Sequence, residues 1–281
     1  MSPRDEPGAP PAIRERAYAK LNLVLHVGPP RPDGLHPICS IFTSLDLADE
    51  IEVRPGEADR VECPAVDGPN LAAAALAAYR ERVPSLPPLE VRIEKRIPVA
   101  AGLGGGSADA AAALRAANRI AGDPLDAAAL RDIAATLGLD VPSQVEPRHA
   151  LVQGTGELVE AIELPPLAVL LVPQDEGLAT AEVYAQLDRM KGWRDVLDPE
   201  AVRAALGAPG GQALENDLQP AALALRPELA ATLAELRAAG AVAALVSGSG
   251  PTCFGLFDRS DDAARAAAAM PGAIAARLRG R

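Results

Sequence analysis

Aromatic side chains are scarce, with one Trp, three Tyr and three Phe in 281 residues. A core of this chain cannot be built on large rings, and the abundant alanine predicts close-packed helices with small side chains. No run of about 18 apolar residues occurs, which excludes a membrane-spanning helix. Cysteine is sparse too: Cys39, Cys63 and Cys253 are far apart, odd in number and outside any metal-ligand spacing. They are expected as buried free thiols in a reducing cytoplasm, with neither a disulfide nor a zinc site. Basic residues are in deficit, 27 Lys and Arg against 38 Asp and Glu, a net charge of −11. That balance excludes nucleic acid as a general partner. Any anionic substrate therefore needs a local positive site. Residues 1–12 carry proline and charge but no apolar signal region, and are expected as a disordered lead-in.

What the chain does have is concentrated in Pro98-Val99-Ala100-Ala101-Gly102-Leu103-Gly104-Gly105-Gly106-Ser107-Ala108-Asp109-Ala110. Glycines tolerate positive φ and let backbone N–H groups approach a ligand with no Cβ in the way. The run Ala108 to Ile120 reads as a helix starting directly after the loop. Its free N–H groups and positive dipole end would face back into the loop. This is a place for phosphate. Two better-known glycine loops are excluded by residue type: no lysine stands between Gly106 and Ser107 as a Walker loop requires, and Ser107 occupies the third glycine of a dinucleotide fingerprint.

Upstream, Ala17 to Val27 alternates as a strand, with Ala17, Ala19, Leu21, Leu23 and Leu25 on one face. Lys20 and Asn22 share the other face, where an amine and an amide could grip an anion or a hydroxyl. Taken alone, the pair reads more readily as a solvated strand face. Pro29 to His36 is a turn-rich loop. Strands are expected over 38–45 and 50–54 with a polar turn around Asp46 to Asp49, then a helix over 70–82 with Asn70 at its start. The strand Leu89 to Ile93 leads to Lys95 and Arg96, two cations just ahead of the glycine loop. A helix over 126–137 is closed by Gly138. Asp140 follows, before a Val-Pro step that favours extended chain and would hold the carboxylate by its backbone, although the segment read alone more readily gives an ordinary surface-loop aspartate.

The texture changes near residue 150, a soft boundary between an expected N-terminal lobe over 13–150 and a C-terminal lobe over 151–281. Strands are expected at 151–152, 158–162, 168–172, 243–247 and 253–257. Helices are expected after Thr180 and Pro199 and over 227–239 and 261–270. Gly248-Ser249-Gly250-Pro251-Thr252 is either a tight hairpin or a second ligand-contacting loop, and periodicity does not choose between them.

Three separated stretches together resemble the GHMP kinases, small-molecule kinases named after galactokinase, homoserine kinase, mevalonate kinase and phosphomevalonate kinase. They are Ala19-Lys20-Leu21-Asn22-Leu23 with Asp33-Gly34-Leu35-His36, then Pro98 to Ala110, and Val246 to Thr252. The resemblance spans most of the chain from Ala17 to Phe257. It implies an α+β, two-lobed fold with a glycine-rich phosphate loop between strand and helix. It implies ATP with Mg²⁺ as cofactors and a small-molecule partner, with the phosphates cradled by Gly102, Gly104, Gly105, Gly106 and Ser107. Asn70 and Lys95 match positions near the nucleotide. Asp140 matches the catalytic aspartate and Lys20 its partner lysine.

The set Ala-Lys-Leu-Asn-Leu, Asp-Gly-x-His and Gly-x-Asp-Val-Pro is similar to the family members that phosphorylate the 2-hydroxyl of a cytidine-diphosphate-linked methylerythritol. Those members serve the non-mevalonate isoprenoid precursor pathway. On that likeness Asn22 would hold substrate hydroxyls and His36 would read the cytosine edge. Leu35 stands where the family has a stacking aromatic, and Tyr184 falls near a second aromatic position, so Leu35 and Tyr184 would line the base. Ser143-Gln144 replaces two phenylalanines usual after Asp-Val-Pro. The alternative is another GHMP kinase, of the homoserine or mevalonate type. A nucleotide-binding member without catalysis would be expected to lack Lys20 or Asp140, and both are present. No metal ligands and no oligomeric state are implied.

Overall fold

In the computed structural model, which describes residues 12–206 and 213–280, most of the lead-in lies outside the described residues. The first strand, β1 (Ile13–Val27), pairs antiparallel with β2 (Ile38–Pro55), with register shifts between Tyr18 and Lys20 and between Asn22 and Val24. Such shifts re-aim side chains locally, and here they flank Lys20 and Asn22. These two residues do share a side, but it is buried, with exposures of 6% and 3%. The solvated-face reading is thereby excluded.

The polar turn expected at Asp46–Asp49 does not form. β2 runs straight through it, because Ala48 and Asp49 stay paired with Tyr18 and Ala17. Asp49 is fully buried, and its carboxylate accepts the backbone N–H groups of Arg96 and Ile97 at 2.6 and 2.8 Å. A buried carboxylate so paired can sit inside a strand.

The short β3 (Arg60–Glu62), which had no signal in the sequence, joins β4 (Leu89–Glu94), β5 (Ala150–Gly154) and β6 (Leu158–Ala161) in a sheet ordered β3-β4-β2-β5-β6, with β1 also on β2. One edge of β2 is thus shared between β4, on residues 50–55, and β5, on residues 38–42. The first sheet continues past residue 150, to Ala161. Helices α1 (Leu71–Arg82) and α2 (Gly105–Ile120) pack on it through small side chains, with Ala72, Ala75, Ala108, Ala111, Ala112 and Ala116 all buried in one cluster. Tyr79 is the large exception, and its buried hydroxyl donates to Asn118 Oδ1 at 2.8 Å. Next come α3 (Ala127–Ala135), capped by Asp126, and the single turn α4 (Val141–Gln144).

The second sheet is antiparallel, β10-β7-β9-β8, from β7 (Ala168–Val172), β8 (Ala243–Val246), β9 (Cys253–Phe257) and β10 (Ile274–Arg277). Around it lie α5 (Thr180–Met190), α6 (Pro199–Leu206), α7 (Gln219–Leu225), α8 (Leu229–Ala238) and α9 (Ser260–Ala269). Leu21, Leu23 and Val24 of β1 share a buried cluster with Leu171, Phe254 and Ala276, so the two sheets close on common apolar ground. All three cysteines are free, but Cys63, expected buried, is only half-buried. Burial pushes the Cys39 thiol up to about 11 and the Cys253 thiol up to about 12, which keeps both protonated. No helix among the described residues is long and apolar enough to cross a membrane.

Candidate active site

Gly104 adopts φ +69° and opens α2, so the helix begins inside the glycine loop, three residues before the expected Ala108. The first bond closing the helix runs from Ala108 N to Gly104 O at 2.9 Å. The N–H groups of Gly105, Gly106 and Ser107 precede it and have no partner within the helix. They lie on a pocket of about 370 Å³ lined by Gly102 to Ser107, Asn70, Lys95 and Asp109. A helix start of this kind attracts anions. Two glycines are required by close approach. A Cβ on Gly102 would come within 2.4 Å of Gly250 O, and one on Gly104 within 2.8 Å of Lys20 Cγ.

The loop is also the wall of a second, smaller cavity. About 130 Å³ in size, it is lined by Lys20, Asn22, Phe42, Asp140, Tyr184 and Gly248, together with Gly102 and Gly104 again. Lys20 Nζ lies 3.2 Å from Asp140 Oδ2 and donates to Asn22 Oδ1 at 2.9 Å. Asn22 Nδ2 donates to Ser40 Oγ at 3.0 Å, and that hydroxyl donates to Val24 O at 2.6 Å. Lys20 is therefore held by a chain of bonds ending on backbone, with the Phe42 ring 4.9 Å beneath its ammonium. The Asn22 amide uses one of its two N–H groups in that chain, and Asn22 still lines the cavity. Lys20 N also donates to Leu103 O at 2.9 Å, tying β1 to the glycine loop.

Asp140 is not on extended chain. Its backbone is helical, φ −87° and ψ −19°, and it opens α4 with Pro142 in the first turn. Proline is tolerated there because that N–H would have no helical partner. The carboxylate is still fixed by backbone, and its side chain remains about one third exposed beside the buried lysine.

Lys95 does not project freely into the phosphate pocket. Its ammonium donates to Asp49 Oδ2 at 2.5 Å and to Asp109 Oδ2 at 2.8 Å, and all three side chains are buried. Burial pushes the Asp109 carboxyl up to about 7, with the Asp49 charge adding and the Lys95 charge opposing. Lys95 itself is shifted up: burial lowers it, but the two carboxylates outweigh that. The triad forms a floor under the loop, with Lys95 Nζ 3.1 Å from where a Gly105 Cβ would sit. Neither Asp49 nor Asp109 was a candidate from the sequence. Asn70 lines the same pocket while its Oδ1 caps α1 by accepting from Ala72 N at 2.8 Å.

Among the base-reading candidates, Tyr184 reaches the smaller cavity and Leu35 does not. Leu35 is 40% exposed in its turn. His36 is buried behind Tyr184, with ring centroids 5.1 Å apart. Its Nδ1–H donates to Gly28 O at 2.8 Å, and its Nε2 faces Asp188 Oδ1 at 3.3 Å. Reading a base through Nε2 requires that pairing to open. Burial and the neighbouring Asp140 charge push the Tyr184 hydroxyl up. It stays protonated.

The loop between β8 and β9 is both a hairpin and part of the site. Gly248 and Ser249 line the smaller cavity, Ser247 Oγ donates to Gly102 O at 3.3 Å, and Thr180 bonds Ser249 at 3.0 Å. Thr180 and Phe42 carry no motif, and only their distance to Lys20 and Ser249 in the fold reveals them. Among the described residues no group of three or more His, Cys, Asp or Glu could hold a metal ion.

Residues 70–146 match the family model for the GHMP kinases N terminal domain, and residues 198–276 match that for GHMP kinases C terminal. A 4-diphosphocytidyl-2-C-methyl-D-erythritol kinase of Anaeromyxobacter sp. (strain Fw109-5) is 47% identical over 262 residues, 89% of this chain and 84% of that protein. One of Thermobifida fusca (strain YX) is 42% identical over 292 residues, 93% of this chain and 92% of that protein. A crystal structure of 4-(cytidine 5'-diphospho)-2C-methyl-D-erythritol kinase superposes with a TM-score of 0.84 at 35% identity, covering 96% of this chain and 100% of that one. A mevalonate kinase of L. major shares the fold alone, with a TM-score of 0.69 at 16% identity.

Proposed function

The chain belongs to the GHMP kinase family, and from that membership we propose that it transfers the γ-phosphoryl group of ATP to the 2-hydroxyl of 4-diphosphocytidyl-2-C-methyl-D-erythritol. The two relatives above, over most of their length, and the solved structure support this choice of substrate. One observation carries the mechanism. The phosphate pocket and the cavity holding Lys20 and Asp140 are two sides of one glycine wall. A triphosphate on the helix start and an alcohol beside Asp140 would meet across Gly102 and Gly104.

Phosphoryl transfer asks for positioning and for positive charge where negative charge spreads. Asp140 accepts the proton of the attacking hydroxyl. Lys20, held by Asn22 and Ser40, presents its ammonium to Asp140 and to the transferring group. The N–H groups of Gly105, Gly106 and Ser107 take the phosphate oxygens. Lys95 acts from below, by fixing the loop through Asp49 and Asp109. Tyr184 gives the base an aromatic surface.

Mg²⁺ accompanies ATP in this reading and neutralises phosphate charge when bound. Such an ion takes only one or two protein oxygens beside phosphates and water. The residues fit: Ser107 stands at the pocket, and Asp109 Oδ1 is buried there without a hydrogen-bond partner. An ATP-using kinase fits the cytoplasm expected from the cysteines.

The test is ATP turnover measured with the cytidine substrate, with homoserine, with mevalonate and with no acceptor. Turnover dependent on the cytidine substrate is expected. Equal turnover with homoserine or mevalonate, indifferent to the cytidine substrate, would sink the reading in favour of the sister kinases.

A further inference from the structure

Asn216 lies outside every motif, yet it is buried, 6% exposed, and bonds only to backbone. Its Nδ2 donates to Val246 O at 2.8 Å and to Gly248 O at 2.7 Å, and its Oδ1 accepts from Leu218 N at 2.9 Å. The segment carrying it is clipped to β1. Leu25 N donates to Glu215 O, Asp217 N donates to Leu25 O, and Val27 N donates to the Asp217 carboxylate at 2.9 Å. Arg194 holds the same carboxylate at 2.8 Å. One side chain thus spans from the strand that carries Lys20 and Asn22 to the loop that faces them.

The loop has little latitude. A Cβ on Gly248 would lie 3.0 Å from Asn22 Oδ1 and 3.7 Å from Lys20 Nζ, so the Gly248 backbone is packed on the lysine and its holder. Two residues on, Gly250 O abuts Gly102 of the phosphate loop. If Gly248 drifts outward, Lys20 and Asn22 lose the surface that confines them, and the two glycine loops part.

We propose, resting on the function above, that Asn216 is a positioning residue for the transfer: its amide sets the distance between the 247–252 loop and the Lys20–Asn22–Asp140 cluster. The bond from Leu218 N closes a turn just ahead of α7 and is a separate, structural service. Chemistry separates the two. Asn216→Asp keeps an acceptor for Leu218 N and loses both donor bonds to the loop, leaving a carboxylate against two carbonyl oxygens.

The experiment compares kcat, both KM values and Tm for the wild-type full chain, Asn216→Ala, Asn216→Asp and Gln219→Ala. Gln219 is the control, because its Oε1 accepts from Val246 N at 2.9 Å beside the same loop without bonding Gly248. Misplacing a reacting group by about 1 Å costs about 10²-fold, so kcat should fall about 10- to 100-fold in both Asn216 variants. KM for the cytidine substrate should move by less than about threefold, and Gln219→Ala should keep kcat within about twofold while losing Tm. A folded Asn216→Ala enzyme with wild-type kcat overturns the proposal. So does an equal kcat loss in Gln219→Ala, which would mark general loosening. Where Asn216→Ala does not fold, Asn216→Ser carries the same comparison with one donor retained. Absence of cytidine-dependent turnover in the wild type fails the functional reading instead, and is seen before any variant is made.

Discussion

Gly104→Ala tests whether the glycine wall and the lysine are one device. Two costs follow from the structure. Gly104 has φ +69°, where an L residue pays roughly 1–2 kcal/mol. The added Cβ would also lie 2.8 Å from Lys20 Cγ and 3.2 Å from Lys20 Cε. Lys20 is buried and cannot swing into solvent, so its ammonium must leave Asp140 or Asn22 or both. A hydrogen bond to a charged group contributes about 1.5–3 kcal/mol, which corresponds to a rate loss of roughly 10- to 150-fold. The assay is kcat under saturating ATP and acceptor, paired with thermal unfolding to confirm the fold. We expect both the rate loss and a lower Tm. A Gly104→Ala enzyme with wild-type kcat and Tm would refute the reasoning, because it would mean that Lys20 does not depend on the glycine backbone.

Gly106→Ala is the complementary case: it lies in α2 with nothing within 4 Å of its would-be Cβ. The fold should hold or gain up to about 1 kcal/mol, while the methyl enters the phosphate pocket and KM for ATP rises; calorimetry showing unchanged ATP affinity would contradict the placing of phosphate on this loop. Tyr184→Ala should raise KM for the cytidine substrate roughly 10- to 100-fold, since base–aromatic stacking is worth about 1–3 kcal/mol, with less change at saturation. An unmoved KM would place the base elsewhere. Burial holds the Asp109 carboxyl up at about 7 against 3.8 for the free group, so between those two values the fold favours a proton that the unfolded chain has lost. Stability from this group is complete below the lower value and declines as pH rises toward the upper one. The stability difference between wild type and Asp109→Asn, from denaturant unfolding at pH 5 and pH 8, should therefore change with pH. An equal difference at both would contradict the assignment.

The glycine loop, the strand of Lys20 and the α1 cap at Asn70 were legible because each rests on local signals: φ-permissive residues, alternation, a capping side chain. The shared side of Lys20 and Asn22 also followed from strand geometry, though its burial did not, since that depends on the second sheet closing over β1. The misread turn at Asp46–Asp49 has a physical cause. Two aspartates in the stretch Asp46-Leu47-Ala48-Asp49 read as a turn, unless partners more than forty residues later, Arg96 and Ile97, satisfy the buried Asp49 carboxylate. The same long-range pairing holds Lys95, expected near the nucleotide, in the pocket lining with its ammonium bonded to Asp49 and Asp109. β3 and α7 were too short for any periodicity to register. Asn216 left no local mark at all, because its role lies wholly in bonds to residues 246 and 248.

The central claim is that Lys20 and Asp140, 3.2 Å apart across the glycine wall from the phosphate pocket, act together on one hydroxyl proton and one phosphoryl group. Single-turnover kinetics on the wild type, Asp140→Asn, Lys20→Met and the double variant test it most directly. Asp140→Asn should slow transfer by about 10²–10⁴ with both substrates still bound. Lys20→Met should also slow it, and the double variant should lose much less than the product of the single losses. An Asp140→Asn enzyme that transfers phosphoryl at a near wild-type rate would contradict the claim.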